Sequence, residues 1–231
     1  MKTISVIVPM LNEESSIGAT VEAIRTAGVQ EIIVVDGGST DRSIEIARGY
    51  VDMVLTSSRG RAWQMNAGAA AARGDVLAFV HADTVVPPSF AHDIETGLAD
   101  NMTVGGRFDV KLDDNALAHR LLGRLISIRS RLMRSATGDQ AIFVRRHIFE
   151  QLGGFPEMQI CEDVDFVRRL RRRGRIACLR SCVVTSARRW RQNGLLRTVL
   201  GMWLIKSLFL LGIPGGWLAR RYADVRERAI G

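Results

Sequence analysis

Four short apolar runs alternate with helix-like stretches over about the first 85 residues of the chain. The runs are Ile4–Val8, Glu31–Val35, Val51–Thr56 and Val76–Val80. The first stretch between them carries Ile17, Val21 and Ile24 at helical spacing. Alternation of this kind is typical of a parallel sheet that is covered by helices on both faces. The sequence therefore predicts an α/β fold with a doubly wound, mostly parallel sheet.

Composition sets the size and the charge of the molecule. With 231 residues, of which 47% are hydrophobic, the chain can form one large domain, with or without an appendage, and is not a disordered protein. The net charge is +8, and only Lys2, Lys111 and Lys206 among the cationic residues are not arginine. This excess indicates an acidic partner but does not choose among a nucleotide, a membrane surface and nucleic acid. A genomic preference for arginine explains the bias equally well.

The cysteines and the N-terminus favour a cytoplasmic protein. The three cysteines are odd in number and form no CxxC pair, so neither a disulfide framework nor a zinc site is indicated. The first nine residues lack the long apolar core of a signal peptide and are typical of a first strand.

Polar residues follow three of the predicted strands. They are Pro9–Glu13, Asp36–Asp41 and His81–Asp83. Carboxyl ends of parallel strands meet at one edge of a sheet, where α/β proteins bind their ligands, so these residues favour a nucleotide site. Ordinary turn formation is the alternative. Neither GxGxxG nor GxxxxGK[ST] is present, so the phosphates must be held in another way, and a metal on Asp83 together with Arg59 or Arg61 would hold them.

The second half of the chain offers a further carboxylate site. Three acids open a predicted helix, at Glu162, Asp163 and Asp165. Acids at a helix N-terminus complement its dipole, which accounts for them structurally, but one of them, Asp163, is also a candidate general base. Arg188 and Arg189 follow a predicted strand and form either an anion clamp or an exposed turn.

Three further segments each carry an apolar face. Thr103–Leu112 alternates apolar and polar residues, which predicts a strand with one exposed face. A leucine-rich stripe over Leu117–Leu132, flanked by arginines, predicts a helix that either faces the core or lies on an anionic membrane. The apolar segment 195–213 is broken by Arg197 and Lys206 and is short for a membrane span. It favours an amphipathic or buried helix at a membrane or subunit contact, followed by a charged helical tail over 217–231.

Taken in order, these pieces resemble the family 2 glycosyltransferases of the GT-A fold, from about residue 3 to beyond residue 190. The opening resembles it at 6–13, 34–41, 59–75 and 79–84. Within the family, the chain is most similar to a bacterial subgroup with the motifs GDQ at 138–140, GGFPE at 153–157, ED at 162–163 and SARRW at 186–190.

The resemblance implies the architecture. It implies a Rossmann-like, mostly parallel central sheet flanked by helices, with a helical C-terminal extension. The glycosyltransferase domain would cover 1–190, with a nucleotide-sugar half over about 1–100 and an acceptor half over about 101–190. The helical extension would cover 191–231.

The resemblance also implies the activity, which is inverting transfer of a sugar from a nucleotide diphosphate sugar, with UDP favoured. The acceptor would be a hydroxyl compound such as a lipid or an envelope glycan. Asp163, with Glu162, would be catalytic. Asp83, with His81, would hold Mn²⁺ or Mg²⁺. The donor would contact Pro9, Asn12, Glu13, Asp36, Arg59, Asn66, Asp83, Arg188 and Arg189. The acceptor side would include Gly138, Asp139, Gln140 and Trp190.

One position departs from the family pattern. His81 stands where the family carries an aspartate, two residues before the metal ligand, which puts the affinity for the metal and its identity in question. The alternatives are a nucleotidyltransferase and a non-catalytic nucleotide-binding module. A nucleic-acid partner is not expected, because only the charge favours one. The expected location is the cytoplasm, with peripheral contact at the inner face of the membrane or a homodimer through 195–213.

Overall fold

The computed structural model describes residues 2–114, 116–133, 135–213 and 215–219. One mixed eight-stranded sheet runs through these residues in the order β3-β2-β1-β4-β7-β6-β8-β5. Its strands are β1 (Ile4–Met10), β2 (Glu31–Asp36), β3 (Met53–Thr56), β4 (Val76–Phe79), β5 (Thr84–Val85), β6 (Thr103–Leu112), β7 (Ile142–Arg145) and β8 (Arg175–Thr185).

Helices flank this sheet, which confirms the predicted α/β class. They are α1 (Ile17–Thr26), α2 (Ser43–Arg48), α3 (Arg61–Ala71), α4 (Phe90–Gly97), α5 (Leu117–Leu132), α6 (Arg146–Gln151), α7 (Glu162–Leu170), α8 (Arg188–Asn193) and α9 (Leu195–Leu210). The predicted alternation of strands and helices in the first half is confirmed, since β1 pairs in parallel with β2 and β4, and β2 with β3.

Pro9 lies inside β1 and does not end the strand as expected. It is opposite Val35 of β2, and β1 continues to Met10. The strand tolerates the proline because β4 pairs with β1 only as far as Ile7, so the missing N–H lies beyond that ladder.

The second half of the sheet is mixed. β7 runs antiparallel to both β4 and β6, and β6 runs parallel to β8. Apart from Lys111, every residue of β6 is buried, so the expected exposed face is absent from this strand. The reason is that α4 and α5 both pack against β6. The alternation of apolar and polar residues in β6 therefore did not indicate an exposed face. The polar side chains pair inside the protein, where Arg107 Nη1 lies 2.6 Å from Asp109 Oδ1.

The leucine stripe of α5 does not face the core, which corrects the core-facing interpretation. Leu117 and Leu132 are 80% and 82% exposed, whereas Leu122 and Ile126 are buried. α9 similarly exposes Trp203. None of the helices in the described ranges is long and apolar enough to cross a bilayer. The predicted tail beyond residue 219 lies outside the described residues, and the predicted division into a domain and an extension at 190 stays a prediction.

A cluster of phenylalanines packs α7 against the end of β4. Phe79 ends β4 and packs edge-on against Phe155, with ring centroids 4.8 Å apart. Phe155 also packs against Phe166 of α7 at 4.4 Å. All three side chains are buried. The residues after β4 and the start of α7 are therefore held close together by apolar packing.

Candidate active site

The loops that follow β1 and β2 are joined by hydrogen bonds. The Asn12 N–H donates to Ser39 Oγ at 2.9 Å, and the Thr40 N–H donates to Asn12 Oδ1 at 2.9 Å. Asn12 adopts a left-handed conformation with φ of 53°, which asparagine tolerates better than most residues. The Glu13 N–H donates to Ser43 Oγ at 2.7 Å. Two of the three predicted strand-end segments are thus adjacent.

Asp36 shapes the second of these loops. Its buried carboxylate accepts hydrogen bonds from the N–H groups of Gly38 and Ser39, at 2.8 Å and 3.0 Å to Oδ2. Gln64 of α3, which the sequence did not single out, donates from Nε2 to the carbonyl oxygens of Met10 and Val35 at 2.7 Å and 2.8 Å. It holds the ends of β1 and β2 together, while the role of Asp36 toward a nucleotide stays a prediction.

Arg188 joins the C-terminal part of the site to the loop after β1. Its Nη2 donates to Glu13 Oε1 at 2.7 Å and to Oε2 at 3.0 Å. Asp83 lies near both residues. Burial raises the pKa of Asp83, and the Glu13 carboxylate raises it further, whereas the Arg188 and Arg61 guanidinium groups lower it. A cation bound at Asp83 would therefore relieve a real electrostatic cost.

A cleft of about 570 Å³ opens beside Asp83. Its lining includes Thr20, Asp113, Ser186 and Arg188. This volume lies within the usual range for small-molecule sites, and several charged and hydroxyl side chains contribute to the lining.

His81 lies against the turn that begins the acceptor-side motif. A Cβ added at Gly138 would lie 2.6 Å from His81 Nε2, so only glycine fits there without movement of the ring. Burial, and next the Arg61 guanidinium, lower the pKa of His81 to about 3. The imidazole is therefore neutral at physiological pH.

Asp163 is the carboxylate that meets this turn. The Gly138 N–H donates to Asp163 Oδ2 at 2.7 Å, and the Val164 N–H donates to Oδ1 at 2.7 Å. Gly138 thus contacts His81 on one side and Asp163 on the other, so the end of β4 and the start of α7 belong to one site.

The three acids of α7 have distinct environments. Asp165 forms ion pairs with Arg168 and Arg169 and makes no contribution to the site. Glu162 is 4% exposed, and burial, with Asp163 as the next cause, raises its pKa to about 7. Asp163 is only half-buried and faces the turn. The geometry therefore favours Asp163 over its neighbours as the general base.

Glu162 gives a prediction about stability. Its pKa is raised from 4.5 to about 7 by folding, so the folded state binds the proton more tightly, and its contribution to stability falls as pH rises across this window. Glu162→Gln keeps the side-chain size and removes the ionisation. We expect the free energy of unfolding of the variant, measured with urea, to increase relative to that of the wild type from about pH 5 to about pH 8. Glu157→Gln, at an exposed site, is the control. Parallel curves for Glu162→Gln and the wild type would contradict the buried, protonated carboxyl.

The protein side chains at this site would supply only part of the coordination shell of a metal ion. Within the described ranges no three His, Cys, Asp or Glu side chains converge on a point that could hold a cation. Mg²⁺ sites commonly use one or two carboxylates and complete the shell with substrate phosphates and water. Asp83 suits such a site, whereas His81 turns Nε2 toward Gly138. Its role as a second ligand stays a prediction.

Several predicted contact residues have structural partners. Asn66 donates to the Phe155 carbonyl and accepts from the Phe155 N–H, both at 2.9 Å. Gln140 is fully buried and accepts from Ser130 Oγ at 3.1 Å. Trp190 packs into the core. Packing and loop support account for these three side chains, so their contact with substrate stays a prediction.

Other positions differ in how they relate to the site. Arg59 and Arg61 are both exposed, but only Arg61 is a guanidinium that acts on His81, Asp83 and Glu162. The side chain of Arg189 lies outside the described residues. Sequence reasoning also missed Arg129 and Lys206, on both of which the Asp163 carboxylate acts electrostatically. The signal for Lys206 was its place as a charge in an apolar helix.

Comparison with known proteins agrees with this fold. The sequence profile of glycosyl transferase family 2 matches residues 5–152. The probable glycosyltransferase YdaM of Bacillus subtilis is 29% identical over 197 residues, which is 72% of this chain but only 46% of YdaM. The chain thus spans less than half the length of this relative.

Two solved structures share the fold. The mannosyltransferase PcManGT from Pyrobaculum calidifontis, in complex with GDP-Man and Mn²⁺, has a TM-score of 0.67 at 17% identity, covering 99% of this chain and 70% of that one. Glucosyl-3-phosphoglycerate synthase from Mycobacterium tuberculosis, in complex with Mn²⁺, UDP and glucosyl-3-phosphoglycerate, has a TM-score of 0.63 at 21% identity, covering 92% and 81%. At these low identities the structural similarity establishes the fold alone, and this is the GT-A fold. Since the family profile covers well over half of the sequence, the chain belongs to glycosyl transferase family 2.

Proposed function

We propose that this protein transfers a sugar, with inversion, from a nucleotide diphosphate sugar to a hydroxyl group of an acceptor. The observation that carries the proposal is the contact series from His81 through Gly138 to Asp163. It sets a half-buried carboxylate on the acceptor side directly beside the residues that follow β4. A base next to a diphosphate site is the arrangement that a direct displacement at a sugar carbon requires.

The residues divide into two sides. Asp83, Glu13 and Arg188 form the charged donor side, where Asp83 would hold Mn²⁺ or Mg²⁺ together with the donor phosphates. When bound, the cation would neutralise charge on the leaving diphosphate. Arg188 supplies a guanidinium, a group that suits phosphate oxygens.

On the acceptor side Asp163 removes the proton of the attacking hydroxyl. The hydrogen bond from the Gly138 N–H fixes the orientation of the Asp163 carboxylate. Each carboxylate oxygen keeps a free lone pair, so the group can still accept the proton. Inversion follows because one displacement takes place with no covalent intermediate on the protein.

The proposal also includes the donor nucleotide, the extent of the catalytic unit and the kind of acceptor. UDP is proposed as the favoured donor nucleotide because a structural neighbour carries it, although another carries GDP-Man. The catalytic unit over 1–190, membership of the GDQ and SARRW subgroup, and a lipid or glycan acceptor are likewise proposals. Peripheral membrane contact is supported by the exposed leucines of α5 and the apolar face of α9.

Thermal unfolding with nucleoside diphosphates tests the proposal. We expect UDP at about 100 times its Kd to raise the unfolding midpoint by roughly 5–10 °C in Mn²⁺ or Mg²⁺. The shift should shrink in EDTA, and nucleoside monophosphates are the matched control. A midpoint that no nucleoside diphosphate raises, with or without a cation, would contradict the proposed donor.

A further inference from the structure

Lys206 faces the protein although it belongs to an apolar helix. Val199 and Met202 of α9 pack against the core. Lys206 follows Met202 by one helical turn and therefore lies on the same side of the helix. Leu204, on the opposite side, is 60% exposed. The only lysine of α9 thus points inward, toward the candidate active site.

The charged groups around Lys206 are those of the acceptor side. Burial is the largest effect on Lys206 and lowers its pKa. In decreasing order, the Asp163 carboxylate then raises this pKa, the Arg129 guanidinium lowers it and the Asp139 carboxylate raises it. Arg129 belongs to α5, next to Ser130, whose hydroxyl donates to Gln140 in the turn at 138–140. Arg129 and Lys206, from two different helices, therefore interact electrostatically with Asp139 and Asp163.

Arg129, Lys206 and one carboxylate oxygen of Asp139 lack direct partners. Neither Arg129 nor Lys206 forms a hydrogen bond or a close ion pair with another residue in the described part of the chain, and Asp139 Oδ1 is buried without a hydrogen-bond partner. Half-buried charges with unmade hydrogen bonds are unfavourable, so such a cluster gains free energy from a ligand that completes them. A ligand that suits it needs an anion for the cations and a hydroxyl for the carboxylates.

We propose that Arg129 and Lys206 bind an anionic group of the acceptor, a phosphate or a carboxylate, while Asp163 receives the proton of its hydroxyl. The proposal rests on the proposed function, since it names the acceptor of the same reaction. Guanidinium and ammonium groups from two sides suit a tetrahedral or planar oxyanion. Asp139 accepts from a second hydroxyl. Neutral acceptors would leave both cations without partners and are therefore disfavoured.

Inorganic phosphate is the probe that tests this site. It is titrated by calorimetry into the full chain whose donor site is first saturated with UDP and Mg²⁺, so that it does not compete for the donor site. We expect Lys206→Met and Arg129→Met each to weaken phosphate binding about tenfold or more, because each removes a charge-assisted hydrogen bond. Lys206→Arg should retain binding. Arg197→Met, which removes an exposed cation from the same helix, should change nothing.

The source of the anion is tested with two competitors. Displacement of phosphate by glycerol phosphate assigns a soluble acceptor, and displacement only by phosphatidylcholine vesicles that contain phosphatidic acid assigns a lipid headgroup. Either result supports the site. Equal phosphate affinity in the wild type and both Met variants, or no phosphate binding by a protein that binds UDP, would overturn it. Failure to bind UDP would instead contradict the proposed donor, and the two failures are thus distinct.

Discussion

Asp163→Asn should lower the rate of sugar transfer by about 10²- to 10⁴-fold, which is the usual contribution of a positioned general base. Asparagine has nearly the same shape, and its Oδ1 can still accept the hydrogen bond from the Gly138 N–H, while only the local bond from the Val164 N–H is lost. The loop geometry should therefore persist while the proton acceptor is lost. Donor binding, measured by calorimetry with UDP, should remain unchanged.

Asp165→Asn is the matched control for this variant. It makes the same chemical change in the first turn of the same helix, but Asp165 pairs with Arg168 and Arg169 away from the turn at Gly138. Transfer by this variant should stay close to that of the wild type. If Asp163→Asn retained full turnover, another group would have to be the base. Weak UDP binding in that variant would instead indicate a structural role.

Asp83→Asn should weaken UDP binding in Mn²⁺ or Mg²⁺ by about 10- to 100-fold, because a charged partner of the cation is lost. Without added cation, the wild type and the variant should bind UDP with similar affinity. The surroundings of Asp83 support this expectation, because burial and the nearby Glu13 carboxylate both disfavour its charged form. A bound cation would offset this unfavourable electrostatic energy. Calorimetric titration with and without EDTA measures both affinities.

Asp113→Asn separates loss of a ligand from loss of charge. Asp113 lines the same cleft and accepts from the Ala187 N–H at 2.6 Å, a hydrogen bond that asparagine can also accept. This variant should keep the dependence of UDP binding on the cation. The same loss in both variants would show that the cleft needs negative charge in general, and unchanged binding in Asp83→Asn would remove Asp83 from the metal site.

The parallel half of the fold was predictable because its strands are unbroken apolar runs that end in turn residues. Val34 and Val35 before Asp36 show the pattern clearly, and β2 ends within a residue of the prediction. Pro9 was misleading, because whether a proline ends a strand depends on which neighbouring ladder reaches it. That is a property of the sheet and is not visible in one segment.

The acceptor side was harder to predict because it depends on packing between distant segments. The leucines of α5 have the spacing of a core stripe, yet Leu121 and Leu125 are each 54% exposed while Ser127 and Ser130 face inward. Hydrophobic periodicity locates an apolar face but does not say what covers it. Likewise, Lys206 is recognisable as unusual in sequence, but its approach to Asp163 follows from how α9 packs.

A crystal of the protein grown with UDP and Mn²⁺ tests the central claim most directly, through the anomalous signal of manganese. We expect one strong peak in contact with the Asp83 carboxylate and the diphosphate oxygens, with the Asp163 carboxylate open toward the sugar side. Bound UDP with manganese at other residues, or a nucleotide lodged away from the ends of β1, β2 and β4, would contradict it.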